Sequence, residues 1–165
     1  MELVCPAGNL PSLKAAIDNG ADAVYIGLRD DTTARHCPGL NLTARRATEG
    51  IAYALSRGRL VFMAITTFPQ PQGWQRWQEA VDTAARLGVD ALIAADIGVL
   101  DYASERWPEL PLHLSVQASS TNYEALRFYH ENFGICRAVL PRVLSLSQVK
   151  HVAAHSPVGI EVFGF

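Results

Sequence analysis

Asn19-Gly20-Ala21-Asp22-Ala23-Val24-Tyr25-Ile26-Gly27 returns 68 residues later as Leu87-Gly88-Val89-Asp90-Ala91-Leu92-Ile93-Ala94-Ala95. In each copy a glycine follows a helical pattern and stops it. An aspartate then opens a short, unbroken apolar run. Such a run, without polar alternation, predicts a strand buried on both faces, as in a parallel sheet. The two aspartates read as turn residues at the end of the sheet away from any ligand. The copies lie three strand starts apart, so the repeating unit is one strand plus one helix.

Working outward, the same alternation covers the whole chain. Strands are predicted at residues 2–5, 21–27, 60–65, 89–94, 112–116, 136–140 and 158–163. Helices fill the gaps. The first is capped by Asn9 with Pro11 in its first turn, and the second is capped by Thr43. The third carries Trp74, Trp77, Val81 and Ala84, and the fourth runs around Ile97–Arg106. Thr121 and Glu124 have capping-box spacing before the fifth. Ser145 and Gln148 have it before the sixth, where Leu144 and Val149 fit a hydrophobic staple. A long polar loop spans residues 28–42. The predicted fold class is α/β: an incomplete TIM-like (β/α) barrel of about seven parallel strands with six intervening helices. Complete barrels have eight strands and ~250 residues. Residues 1–165 therefore read as a single βα-repeat domain, the N-terminal part of a longer barrel protein, since an unclosed barrel leaves apolar edges.

Composition narrows the function classes. The 165 residues are 49% hydrophobic and 18% charged, which excludes disorder. A net charge of −2 gives no global field for nucleic acid or anionic lipid. No apolar run approaches the ~18 residues of a membrane span. The start of the chain lacks the basic, apolar pattern of a signal peptide, so a cytoplasmic location is expected. The three cysteines Cys5, Cys37 and Cys136 form neither a disulfide framework nor a metal site by spacing. Glycine-rich phosphate loops, HExxH and GxSxG are absent.

Ligands of α/β proteins bind at the carboxyl ends of the strands. The polar residues predicted there are the candidates. They include Asn9 after the first strand and Arg29, Asp30, Asp31 and His36 in the second loop. Thr66 and Thr67 follow the third strand, and Asp96 the fourth. Gln117, Ser119, Ser120 and Asn122 follow the fifth, Arg142 the sixth, and Glu161 lies within the seventh. Arg142 follows Leu140-Pro141, and its guanidinium suits a carboxylate or phosphate. Glu161 in an apolar strand is either a general acid or base, or the ion-pair partner of Arg142. Gln117, Ser119 and Asn122 offer neutral donors and acceptors. The predicted substrate-binding set is Asn9, Gln117, Ser119, Asn122, Arg142 and Glu161. No catalytic residue is assigned. Cys5 reads as a small buried hydrophobe, and His36-Cys37 lacks a second pair for metal binding.

Four segments together are similar to a known family. They are Met1-Glu2-Leu3-Val4-Cys5-Pro6-Ala7-Gly8-Asn9-Leu10, the Asn19–Gly27 stretch, Ser115-Val116-Gln117-Ala118-Ser119, and Val139-Leu140-Pro141-Arg142-Val143-Leu144-Ser145. They resemble the collagenase-like peptidase family of unknown catalytic type, and most closely its UbiU branch, which Arg35-His36 and Glu161-Val162-Phe163 also match. The resemblance implies a TIM-like barrel and a role in oxygen-independent ubiquinone biosynthesis. There, the ring of a ubiquinone precursor is hydroxylated together with a homologous UbiV-like partner, with prephenate as oxygen donor. It also implies a [4Fe-4S] cluster in the full-length protein on cysteines beyond Phe165. Cys5, Cys37 and Cys136 match no cluster position, so no cofactor is expected in this chain. No nucleic-acid partner is expected. A collagenase-like peptidase and a non-catalytic barrel subunit of a heterodimer are the alternatives.

Overall fold

The computed structural model describes residues 1–34 and 41–164. The described strands are β1 (Val4–Pro6), β2 (Ala23–Ile26), β3 (Leu60–Ile65), β4 (Ala91–Ala94), β5 (Leu112–Leu114), β6 (Ile135–Val139) and β7 (Gly159–Glu161). The helices between them are α1 (Leu10–Asp18), α2 (Ala44–Leu55), α3 (Trp74–Leu87), α4 (Ile97–Arg106), α5 (Tyr123–Phe133) and α6 (Leu146–His155). The strands are hydrogen-bonded in chain order from β1 to β7. β1 pairs with β2, β2 with β3, β5 with β6 and β6 with β7, all in parallel. This is the (β/α) architecture that the unbroken apolar runs predict. Among the described residues, no helix is long and apolar enough to cross a membrane.

The chain forms two compact units, Met1–Leu92 and Ile93–Phe165. In the first, Leu13, Val24, Ile26, Met63, Ile65 and Val81 are fully buried between helices and strands. Asn9 caps α1, and its Oδ1 accepts the Ser12 N–H at 2.9 Å. The Ser12 hydroxyl in turn accepts the Asn9 N–H, which completes a capping box. The paired aspartates of the repeat do the same job twice. Asp22 Oδ2 accepts the Leu3 N–H at 2.8 Å, and Asp90 Oδ2 accepts the Val61 N–H at 2.7 Å. Each ties the entry of its own strand to the preceding strand. Asp22 also pairs with Arg59 at 2.9 Å.

In the second unit, Val99, Leu100, Leu114, Leu126, Ile135 and Leu140 are buried. Ser145 and Gln148 form the expected capping box on α6. Two expectations need correction. The cap of α5 is Asn122, whose side chain accepts the Ala125 N–H at 2.9 Å, and not Thr121. β5 stops at Leu114 instead of reaching residue 116. Ser115 accepts the Gln117 N–H at 3.3 Å, so Val116–Ala118 closes into a 3-10 turn. Helices α3 and α5 end on Gly88 and Gly134 at φ 71° and 68°, a left-handed conformation that glycine adopts without steric cost.

Candidate functional site

In the second unit, Arg142 follows β6 and lines a cavity of about 250 Å³. Its position is built from the backbone: the Leu140 N–H donates to the Glu161 carbonyl at 2.9 Å, and Pro141 stiffens the exit from the strand. The walls are apolar, from Leu140, Leu144, Leu146, Val149 and Val162. Leu144 and Val149 are also the staple pair of α6, so the element that starts the helix also forms a wall. The Arg142 guanidinium lies over the Phe163 ring, 3.8 Å from its centroid. Stacking uses the face of the guanidinium, and its N–H donors lie in the plane. The arrangement suits a ligand with an anionic group and an apolar ring or tail.

Glu161 has an ion-pair partner, Arg137 of β6, at 3.7 Å. The register explains the pairing. Glu161 sits opposite Val139, and Arg137, two residues earlier, sits on the same face. Both side chains are only about one-fifth exposed (23% and 21%), so each supplies the charge the other needs. The sequence reading did not weigh Arg137. Its signal was a lone arginine in the apolar run 135–140.

Gln117 and Ser119 are exposed on the turn after β5, with Ser119 in a left-handed conformation at φ 54°. Asn122 spends its side-chain oxygen on the α5 cap. These three and Arg142 therefore stand at the carboxyl ends of neighbouring parallel strands, but of them only Arg142 lines the cavity. Burial pushes the Tyr129 phenol upward, and the Asp96 carboxylate adds to the shift. Asp96 is the cap of α4, accepting the Val99 N–H at 3.1 Å.

In the first unit, Asn9 lines a different cavity of about 310 Å³, together with Leu10, Arg29, Asn41, Leu42, Thr43 and Arg46. Leu28 and Leu42 form a parallel bridge, so the two ends of the long loop return to each other beside β2. Gly27 permits this: a Cβ there would stand 2.6 Å from Thr33 Cγ2 and 3.0 Å from Asn41 Oδ1. Thr66 and Thr67 are structural. The Thr66 N–H donates to the Thr32 carbonyl at 2.8 Å, and the Thr67 hydroxyl to the Asp31 carbonyl at 2.6 Å. Asp31 also pairs with Arg76. The His36-Cys37 pair lies outside the described residues.

Among the described residues, no three His, Cys, Asp or Glu side chains converge as a metal site. Cys5 is half-buried, and Cys136 is exposed with its thiol directed to the Leu112 carbonyl at 3.5 Å. An all-cysteine cluster takes four thiolates, and the described residues do not fit one.

The sequence model of peptidase family U32 matches residues 8–165. The chain belongs to this family. Among its relatives, an uncharacterized protease of Methanocaldococcus jannaschii is 34% identical over 168 residues, covering 100% of this chain and 40% of that protein. The tRNA hydroxylation protein P of Helicobacter pylori is 37% identical over 165 residues, covering 99% of this chain and 38% of that protein. The chain thus spans about two-fifths of the length of these U32 relatives. A solved U32 peptidase, Mk0906, superposes with a TM-score of 0.80 at 16% identity, over 98% of this chain and 68% of that one. At that identity the likeness bears on fold alone.

Proposed function

We propose that this chain is the barrel portion of a UbiU-like U32 protein that hydroxylates the ring of a ubiquinone precursor without O2, together with a UbiV-like partner. The branch motifs Val139-Leu140-Pro141-Arg142 and Glu161-Val162-Phe163 support it, and they are the segments that build the Arg142 cavity. That cavity is the observation on which the proposal rests. Its apolar walls offer contact area to a ring and its tail, and the Arg142 fork holds a carboxylate or phenolate bidentately. Phe163 fixes the plane of the guanidinium. The Arg137–Glu161 pair keeps a carboxylate in the sheet two residues before Phe163. The iron–sulfur cluster of the proposal is carried by cysteines beyond Phe165, and no described residue takes part in holding it.

The names of several relatives, tRNA hydroxylation proteins and a 23S rRNA 5-hydroxycytidine synthase among them, favour a second reading, hydroxylation of an RNA base. RNA binding draws most of its affinity from phosphate contacts by lysine and arginine. This chain has 14 such residues against 16 acidic ones, and its Arg142 cavity is apolar. Both features favour the small aromatic substrate.

The test is Arg142→Ala in the full-length protein, expressed in anaerobic cells that lack their own copy. Loss of a bidentate charged contact predicts at least a roughly tenfold fall in hydroxylated quinone. Unchanged quinone output overturns the assignment. If quinones stay normal while a hydroxylated nucleoside disappears from RNA digests, the RNA reading replaces it.

A further inference from the structure

His151 and His155 stand at positions i and i+4 toward the end of α6. Residues at that spacing lie one above the other on a helix face, and two histidines so placed are the ligand pair of helical zinc motifs. Both residues are exposed, and their ring centroids are 4.5 Å apart. That separation lets one nitrogen of each ring reach a shared ion at the ~2.0–2.1 Å of an imidazole–metal bond.

The hydrogen bonding leaves the rings ready for such an ion. His155 Nδ1 lies 2.8 Å from the His151 carbonyl oxygen. A carbonyl only accepts, so Nδ1 carries the proton and Nε2 keeps the lone pair that a metal takes. The same bond fixes the ring plane, as the outer hydrogen bond of a metal-bound histidine does. Among the described residues, no hydrogen bond or ion pair engages the His151 ring nitrogens.

Tyr123, the first residue of α5, braces the pair from outside its helix. Its ring centroid is 5.8 Å from that of His151 and 5.2 Å from that of His155. Three rings packed together have fewer rotamers open to them, so less ordering remains to be done on binding. The pair also sits near the carboxyl end of α6, where the helix dipole favours a cation.

We propose that His151 and His155 chelate one divalent transition-metal ion, whose remaining positions are open to water or to a ligand from outside the chain. Imidazole selects nickel, copper or zinc over magnesium and calcium. Val152-Ala153-Ala154, between the two histidines, supply no carboxylate. The pair therefore binds the ion without the general base of hydrolytic HExxH sites. Neither histidine lines the Arg142 cavity, and the inference does not depend on the hydroxylation reading.

Calorimetric titration of the full-length protein with Ni2+, without an affinity tag, tests it. Nickel suits imidazole, whereas thiolates select softer metals. The unaltered protein is expected to show one nickel site per chain that the His151→Ala, His155→Ala double variant lacks. Both positions are exposed on a helix, and alanine is the better helix former, so α6 stays intact. His151→Ala and His155→Ala are each expected to weaken that site at least about tenfold, because one arm of the chelate is lost. Equal nickel stoichiometry and affinity in the double variant overturns the proposal. So does a single variant that loses only the statistical factor for two independent imidazoles, or an unaltered protein that takes up no nickel at millimolar concentration.

Discussion

Gly27 shows how one missing methyl group shapes a site. The Thr33 hydroxyl is fixed on the Ala64 carbonyl at 2.8 Å, so the side chain that a new Cβ would strike has little freedom to move. Gly27→Ala is expected to cost about 1–3 kcal/mol through overpacking, measured by urea unfolding. The same substitution should also disturb Asn41, and with it the Arg29–Arg46 cavity. Individual residues were readable to an uneven degree. Arg142 was predicted at a ligand-facing strand end because Pro141 and the parallel-strand rule mark that position. Its stacking on Phe163 and the pairing of Glu161 with Arg137 were not, because partner choice depends on strand register. Arg29 was among the strand-end residues, whereas Arg46, inside a helix pattern, carried no signal that it turns toward the same cavity.

At the scale of elements, cap chemistry decides where helices start. Asn122 and Thr121 are neighbours and both are suitable cap types, yet only Asn122 accepts an N–H from the first turn of α5. Asn122→Ala should therefore cost about 1 kcal/mol of stability, while Thr121→Ala should stay within about 0.5 kcal/mol. Equal losses in chemical denaturation would place the cap elsewhere. The helices were predicted to within a residue or two, because caps and stop glycines lie in the sequence itself. β3 spans residues 60–65 as predicted and β6 is displaced by one residue, whereas β2, β4, β5 and β7 are shorter than their apolar runs. Apolar residues continue past the last ladder bond, as Val116 does where Ser115 turns the chain, and composition alone does not mark that point.

On the scale of the molecule, tertiary clasps set the response to pH. Tyr53 of α2 donates its hydroxyl to Asp18 of α1 at 2.7 Å, and the Arg57 guanidinium lies 3.6 Å over its ring. The hydrogen bond to Asp18 is the main reason its phenol is held above the usual 10.0. Tyr129 is raised as well, chiefly by burial. A raised folded-state value favours the neutral phenol in the native protein. The stability it contributes is complete below about 10 and is lost as pH rises through the folded value. Thermal unfolding should thus shift to lower temperature above pH ~10, and the shift should be smaller in the Tyr53→Phe, Tyr129→Phe variant. An identical alkaline slope in that variant would remove these two groups as the cause.

The sequence by itself determined the strand–helix alternation, the parallel sense of the sheet and most helix ends. These follow from hydrophobic period, apolar continuity and cap residues, all of which act over a few neighbouring positions. Only the tertiary structure decided which side chains meet, Glu161 with Arg137 and Arg142 with the Phe163 ring, and that Arg29 and Arg46 line one cavity. Those meetings depend on strand register and on where a loop rejoins the sheet, and both are set by packing between segments that are distant in the chain.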